Sequence, residues 1–219
     1  MSMEWSPSEH QQTCLQLLQD IYEVSTALGT HTYIWGGMVP DILRGEFLRD
    51  HHDVDGFTLD LLNVKAEMAA RFATKGYVVT YSDEYDLLRI EKGEFHAALN
   101  RLDLDGDTAM WRHVGDQGTI YFPAAWLDTA PHVFCGVKAH ISGAAFEYTI
   151  KTNVHLLNPE WKLRDKDRAA IGILSAELDR IGADKQEILS RISSYTPYWV
   201  EKGYPEYKNR IWAKVGTVG

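Results

Sequence analysis

A double glycine and a pair of aspartates, about one helix apart, constrain this chain more than any other feature. Gly36 and Gly37 follow the short apolar run 32–35, and Asp53 and Asp55 begin another run. Glycines at a strand-to-helix turn allow a phosphate to approach backbone amides. Carboxylates at i and i+2 of a strand leave one face of a sheet, where they can share Mg²⁺. The spacing predicts a metal-assisted phosphate site; the simpler interpretation is an ordinary turn and a solvent-facing strand.

Length, charge and cysteine content narrow the class of protein. With 219 residues, 45% of them hydrophobic, the chain can bury the core of one large domain or two small ones. A net charge of −9 makes a nucleic-acid partner unexpected, because such partners call for clustered Lys and Arg. Cys14 and Cys135 are far apart, there is no signal-peptide pattern, and no apolar run approaches the roughly 18 residues of a membrane span. We therefore expect a cytoplasmic protein with no membrane partner.

Hydrophobic periodicity predicts mixed α and β structure first and mainly helices afterwards, which is an α+β fold. We expect a boundary between an α/β domain at 1–138 and a mainly helical domain at 139–219. The Asp-, Gly- and Thr-rich stretch 103–118 is predicted to be a loop. The predicted helices are 8–29, 38–45, 64–75, 142–156, 165–181 and 184–193, and the predicted strands are 32–35, 54–61, 77–81, 87–91, 94–102, 120–122 and 133–137.

Two linked motifs carry a resemblance to a known superfamily. The run Gly36-Gly37-x-x-x-Asp41-x-x-x-Gly45, followed by Arg49-x-His51-x-Asp53-x-Asp55, resembles the signature of the DNA polymerase β-like nucleotidyltransferases. The small nucleotidyltransferases that act on lincosamides and aminoglycosides are the nearest in pattern. Weaker matches follow in order at Trp126-Leu127-Asp128, Ser142, Lys151 and Arg164-x-Lys166-Asp167. The resemblance covers about residues 10–180 and implies a mixed sheet flanked by helices, followed by a helical C-terminal part.

The resemblance also implies a reaction. Asp53 and Asp55 would hold one or two Mg²⁺ ions, and a hydroxyl would attack the α-phosphate of ATP or another nucleoside triphosphate, with pyrophosphate leaving. The residues expected to bind the nucleotide are Gly36, Gly37, Arg49, Lys151 and Arg164. For Lys151 and Arg164 a second interpretation stays open, since a helical lysine is commonly solvated and Arg164 could simply begin a helix.

One position departs from the superfamily pattern. The third carboxylate, on the strand after the hairpin, aligns with His96, and Glu94 would share its face if the strand were regular. His96 could act as a general base, because an unperturbed imidazole titrates near pH ~6.5. Alternatively, the third function is lost and the protein binds nucleotide without fast turnover. Gly56 also replaces the apolar residue usual after the second aspartate.

The acceptor is implied only as a class. The resemblance implies a hydroxyl on a small molecule such as an aminoglycoside or a lincosamide-like antibiotic. Acidic residues at Asp103, Asp105, Asp107 and Asp116 would suit a polycationic sugar. Two other functions remain open: a catalytically weak nucleotide- or ligand-binding module, and a toxin-like transferase acting on protein or tRNA. Both a monomer and a homodimer are compatible with the sequence.

Overall fold

The computed structural model describes residues 7–112, 118–195 and 201–203, and these form a mixed α+β fold, as the sequence predicts. The helices are α1 (Glu9–Ala27), α2 (Val39–Arg44), α3 (Leu61–Thr74), α4 (Gly143–Leu157), α5 (Asp165–Arg180) and α6 (Lys185–Ser190). The strands are β1 (Thr32–Trp35), β2 (Asp53–Leu59), β3 (Val78–Ser82), β4 (Leu87–Lys92), β5 (Phe95–Asp105), β6 (Thr108–Arg112), β7 (Thr119–Pro123), β8 (His132–Phe134), β9 (Val137–Ile141) and β10 (Ser193–Tyr195).

The strands form one mixed sheet in the order β10-β7-β6-β5-β2-β1-β9-β8, with β3 and β4 attached beside β5. Strand β2 lies at the centre, antiparallel to β1 and parallel to β5. Strand β1 is also parallel to β9, although Tyr33 and its partner His140 are distant in sequence. This arrangement brings the end of β1, the start of β2 and the beginning of α4 to one place.

Two apolar clusters cover the two faces of the central strands. Along β2, Val54 belongs to the cluster that includes the buried faces of α1 and α3, and Phe57 belongs to the cluster that includes Phe146 of α4. Alternate residues of a strand point to opposite faces, so Asp53 and Asp55 share the Phe57 face. The aspartates therefore face the side of the sheet that the C-terminal helices cover.

Two sequence-based assignments are wrong. The stretch 103–118 is not one irregular loop, because β5 continues to Asp105 and a tight turn at Gly106 returns the chain as β6. The single strand predicted at 133–137 is instead a hairpin, with its turn at Cys135 and Gly136. In the described part of the predicted, mainly helical second half, the short strand β10 joins the sheet beside β7. The boundary at 138/139 stays a prediction.

Gly56 fits its place in β2 for a packing reason. A Cβ at this position would lie 2.8 Å from a methyl group of Leu99 and 2.9 Å from that of Thr32, so the neighbouring side chains occupy the space. The absence of a side chain thus allows Leu99 and Thr32 to pack closely against β2. None of the helices in the described ranges combines the length and the apolar character needed to cross a membrane.

Candidate active site

Asp53 and Asp55 lie at the start of β2 and line one large cavity. Asp53 is exposed and Asp55 is partly buried, and neither carboxylate makes a hydrogen bond or an ion pair with any residue that the structure describes. Burial is the main cause that raises the pKa of Asp55 to about 7, and the charges of Asp53 and Glu147 add to it. The attraction of Lys151 opposes this rise. Two close carboxylates without protein partners form a site whose charge favours a cation.

The double glycine brings the backbone close to Asp55 and Arg49. Gly36 has a φ of +82°, and a Cβ there would lie 3.1 Å from Oδ2 of Asp55. At Gly37 a Cβ would overlap the guanidinium of Arg49. Gly36 therefore needs glycine for its left-handed backbone conformation, whereas a side chain at Gly37 would displace the flexible Arg49 guanidinium.

The amide of Gly36 is not directed at the cavity, in contrast to the phosphate-binding role that the sequence predicts. Its N–H donates to Oε1 of Glu147 over 2.7 Å, and the Ser142 hydroxyl donates to the same oxygen over 2.9 Å. Glu147 is fully buried in α4. Gly36 still lines the cavity, and the hydrogen bond to Glu147 holds the glycine turn in place.

Glu147 also holds the lysine that the sequence analysis singles out. Oε2 of Glu147 lies 3.5 Å from Nζ of Lys151, one helical turn further along α4. Burial raises the pKa of Glu147, and Lys151, the Gly36 amide and the Ser142 hydroxyl oppose this rise. Lys151 lines the cavity, and its ammonium interacts with both the buried Glu147 and Asp55.

Arg49 and Arg164 supply further positive charge at the cavity. The guanidinium of Arg49 donates to the Asp50 carbonyl over 2.9 Å. Arg164, at the start of α5, makes a two-pronged contact with Asp167 (2.7 and 3.0 Å) and lies over the ring of Trp161 at 4.5 Å. Arg164 therefore does begin a helix, as the simpler interpretation holds, and it also lines the cavity.

The cavity has a volume of about 630 Å³ and an uneven lining. Its polar side carries the aspartate pair and the cations described above. Much of the remaining lining is apolar and aromatic; it includes Trp35, Trp111, Ile120, Ile150, Val154, Trp161 and Ile173. Such a volume is typical of small-molecule sites. The charged residues suit phosphate and a metal ion, and the apolar residues suit a planar or aliphatic group.

His96 lies beside the aspartate pair, but Glu94 does not. His96 of β5 is the neighbour of Asp53 across the parallel β2–β5 pairing and shares its face, although it is not among the residues that line the cavity. Ala98 is the neighbour of Asp55. Glu94 precedes β5, and its carboxylate lies between His10 and His52 at 3.8 and 3.7 Å. Glu94 would share the face of His96 only if it belonged to a regular strand, and the strand begins only at Phe95.

The acidic acceptor site expected from Asp103, Asp105 and Asp107 does not form. Asp103 pairs with Arg101, and Asp105 and Asp107 flank the exposed β5–β6 turn away from the cavity. Asp116 lies outside the described residues. The acids that line the cavity besides the aspartate pair are Asp41 and Asp167, which are already bonded to His51 (3.0 Å) and Arg164.

Sequence reasoning missed Glu147, Trp35 and Trp111 as residues of this site. The spacing of Glu147 four residues before Lys151 was a usable signal, since such pairs meet on a helix. The burial of this glutamate could not be predicted from sequence, because glutamate is almost never fully buried unless paired. Trp111 was not predicted as a site residue because its segment was assigned to a loop.

Comparison with known proteins supports the fold and its broad class. No family profile and no curated protein sequence matches the chain. Among solved structures, the solution structure of the antibiotic-resistance factor ANT(2'')-Ia is similar with a TM-score of 0.63, 14% identity, and coverage of 90% of this chain and 96% of that one. The crystal structure of ANT(2'')-Ia in complex with adenylyl-2''-tobramycin has a TM-score of 0.58 and 16% identity. The match covers 78% of this chain and 92% of that one.

A third similar structure is the lincosamide antibiotic adenylyltransferase LnuA with lincomycin bound. Its TM-score is 0.52, the identity is 14%, and the match covers 78% of this chain and 97% of LnuA. The chain thus has the nucleotidyltransferase fold, and the structures similar to it include antibiotic-modifying proteins. At these identities the likeness concerns the fold; the roles of individual residues rest on the geometry above.

Proposed function

We propose that the protein is an Mg²⁺-dependent nucleotidyltransferase that moves AMP from ATP to a hydroxyl group of a small molecule. The observation that carries the proposal is the pair Asp53 and Asp55, which have no protein partners among the described residues and face a cavity lined with basic side chains. The shared fold with ANT(2'')-Ia and LnuA supports the same reaction class. A reducing cytoplasm, where both cysteines stay free thiols, is the proposed setting.

The donor set fits Mg²⁺. Asp53 and Asp55 offer carboxylate oxygens, the ligands that this hard cation prefers, and burial together with the neighbouring charges of Asp53 and Glu147 raises the pKa of Asp55. When bound, the metal would neutralise triphosphate charge and favour departure of pyrophosphate. Lys151, Arg49 and Arg164 would bind phosphate oxygens from the surrounding walls. Glu147 would orient Lys151 without touching the substrate.

The apolar residues that line the cavity favour one kind of acceptor. Trp35 and Trp111 lie with their ring centroids 4.6 Å apart, and Ile120 and Ile150 extend the same wall. A polycationic sugar would need free carboxylates, and those of the cavity apart from the aspartate pair are already engaged. We therefore propose an acceptor, antibiotic or other, that carries a hydroxyl and substantial apolar surface.

A specific observation also favours a second function, a binding module with weak or no turnover. The two neighbours of the aspartate pair on β5 are His96 and Ala98, so no carboxylate from this strand joins Asp53 and Asp55. If His96 takes the proton of the acceptor, the protein is an enzyme; if it does not, triphosphate binds without transfer. A toxin-like action on tRNA is disfavoured by the net charge of −9.

Calorimetric titration of nucleoside triphosphates, with and without Mg²⁺, tests the site before any acceptor is known. We expect Mg²⁺-dependent binding that Asp53→Asn/Asp55→Asn abolishes. The matched control is Asp105→Asn/Asp107→Asn, which removes two carboxylates from the exposed β5–β6 turn and should bind like the wild type. Absence of binding to the folded wild type would overturn the proposal.

Release of pyrophosphate then separates the enzyme from the module. A panel of hydroxylated compounds, graded from polycationic to apolar, is supplied with ATP and Mg²⁺. Acceptor-dependent release, lost in Asp53→Asn/Asp55→Asn, would establish the transferase. Binding of triphosphate with no release across the panel would favour the module.

A further inference from the structure

Two histidines and a glutamate converge at the start of the central strands, outside the cavity. His10 is the second residue of α1, His52 directly precedes β2, and Glu94 directly precedes β5. One candidate ligand atom from each residue can be chosen so that all three lie within 4.8 Å of one another. We refer to His10, His52 and Glu94 as the histidine cluster. Its members come from three separate parts of the chain, so the fold itself assembles them.

The distances within the histidine cluster suit a shared ion better than direct bonds. Nδ1 of His10 lies 3.8 Å from one oxygen of Glu94, and Nδ1 of His52 lies 3.7 Å from the other. Both separations are too long for a hydrogen bond. Ligands about 2.0–2.1 Å from a tetrahedral Zn²⁺ lie roughly 3.4 Å from one another. The two histidine–glutamate separations exceed this spacing by only a few tenths of an ångström, and all three ligand atoms lie within 4.8 Å of one another.

His10 is held in the state that a metal ligand requires. Its Nε2 lies 2.9 Å from the carbonyl oxygen of His51, which can only accept, so Nε2–H is the donor. In the neutral ring Nδ1 then carries the free lone pair, and it is the atom that faces Glu94. The ring also packs against Phe95 with a centroid distance of 4.6 Å. A backbone carbonyl that fixes the tautomer and orientation of a histidine is the usual support of a metal ligand.

We propose that the histidine cluster binds a borderline divalent cation of the Zn²⁺ class. Two imidazole nitrogens and one carboxylate suit zinc, whereas the all-oxygen pair Asp53 and Asp55 suits Mg²⁺. Because His52 and Glu94 are more than half exposed, water has access to the fourth position of a tetrahedral ion. The site is independent of the proposed transferase reaction.

Occupancy of the histidine cluster would fasten the first turn of α1 to the beginnings of β2 and β5. The connection lies close to the candidate active site, since His52 precedes Asp53 and its carbonyl accepts the N–H of His96 over 3.1 Å. A ligand that binds only the folded chain raises its stability in proportion to the logarithm of ligand concentration. Zinc should therefore raise the melting temperature even when no nucleotide is present.

The test is titration of the untagged full-length chain with Zn²⁺ and, for spectroscopy, with Co²⁺. We expect one ion per chain, a visible Co²⁺ absorption typical of nitrogen ligands in low coordination, and a higher melting temperature. His52→Gln and Glu94→Gln should each weaken Zn²⁺ binding about tenfold or more, since even the supporting partners of metal ligands contribute this much. Millimolar Mg²⁺ should not displace the ion.

Two controls locate the ion. His132→Gln/Glu46→Gln removes a histidine and an exposed glutamate elsewhere and should bind Zn²⁺ like the wild type. Asp53→Asn/Asp55→Asn should also retain zinc binding, which keeps this result separate from failure of the nucleotide site. Lack of one-to-one binding, affinity unchanged in both His52→Gln and Glu94→Gln, or loss of zinc in Asp53→Asn/Asp55→Asn would overturn the proposal.

Discussion

Replacement of Glu147 by alanine tests whether this buried residue organises the candidate site. The side chain accepts two hydrogen bonds, from the Gly36 amide (2.7 Å) and the Ser142 hydroxyl (2.9 Å). Alanine would leave both donors buried and unpaired, and each such group costs about 1–3 kcal/mol. We therefore expect Glu147→Ala to lower the free energy of unfolding by about 4 kcal/mol. For a chain of this size the melting temperature should fall by about 8–16 °C.

Glu147→Gln separates the hydrogen bonds from the charge. Glutamine keeps a carbonyl oxygen for the Gly36 amide and the Ser142 hydroxyl, so the free energy of unfolding should change by less than about 1.5 kcal/mol. It removes the anion beside Lys151, so affinity for Mg²⁺-triphosphate should change while the fold is retained. Urea unfolding and calorimetry measure the two effects, with exposed Glu46→Ala as control. The reasoning is refuted if Glu147→Ala stays within about 1 kcal/mol of the wild type, or if Glu147→Gln destabilises as much as Glu147→Ala.

Three other predictions concern glycine packing and thiol reactivity. Gly37→Ala should displace the Arg49 guanidinium and weaken triphosphate binding with little change in the urea midpoint; unchanged affinity would contradict the assigned contact. Gly56→Ala should destabilise the fold by about 1–3 kcal/mol because of the crowded β2 packing, and an unchanged midpoint would argue against that packing. Burial raises the pKa of Cys14 to about 12, so only about 10⁻⁴ of it is thiolate at pH 8. A thiol reagent should thus modify only Cys135 in the native protein and both cysteines in denaturant; rapid native labelling of both would exclude the burial described here.

Most of the first half of the fold is readable from sequence because its periodicity is strong. The strand at 32–35 has the predicted bounds, and α1, α3 and β3 differ from prediction by a few residues. The β5–β6 hairpin was not predicted because its aspartates and Gly106 give the segment the composition of a loop, although only the turn itself requires them. The β8–β9 hairpin was not predicted because its turn includes Cys135, a non-glycine residue with a positive φ of 48°.

The site was partly predictable for a related reason. The proximity of Gly36 to Asp55 and of Gly37 to Arg49 follows from local spacing along the chain, which a motif records. The position of Glu147 depends instead on how α4 docks against the sheet, and no local pattern encodes that packing. The position of the Glu94 side chain depends on the residue at which β5 begins, and the sequence does not fix that residue.

The hydrogen bond between Gly36 and Glu147 joins residues 111 positions apart, and this separation has a consequence for synthesis. The parallel pairing of β1 with β9 and the bond from the Ser142 amide to the Ile34 carbonyl (2.9 Å) close the same long loop. On the ribosome, a nascent chain that ends before α4 contains both aspartates and both glycines but lacks Glu147 and Lys151. Substrate affinity should therefore arise only after α4 has left the exit tunnel, when most of the sheet has already been made.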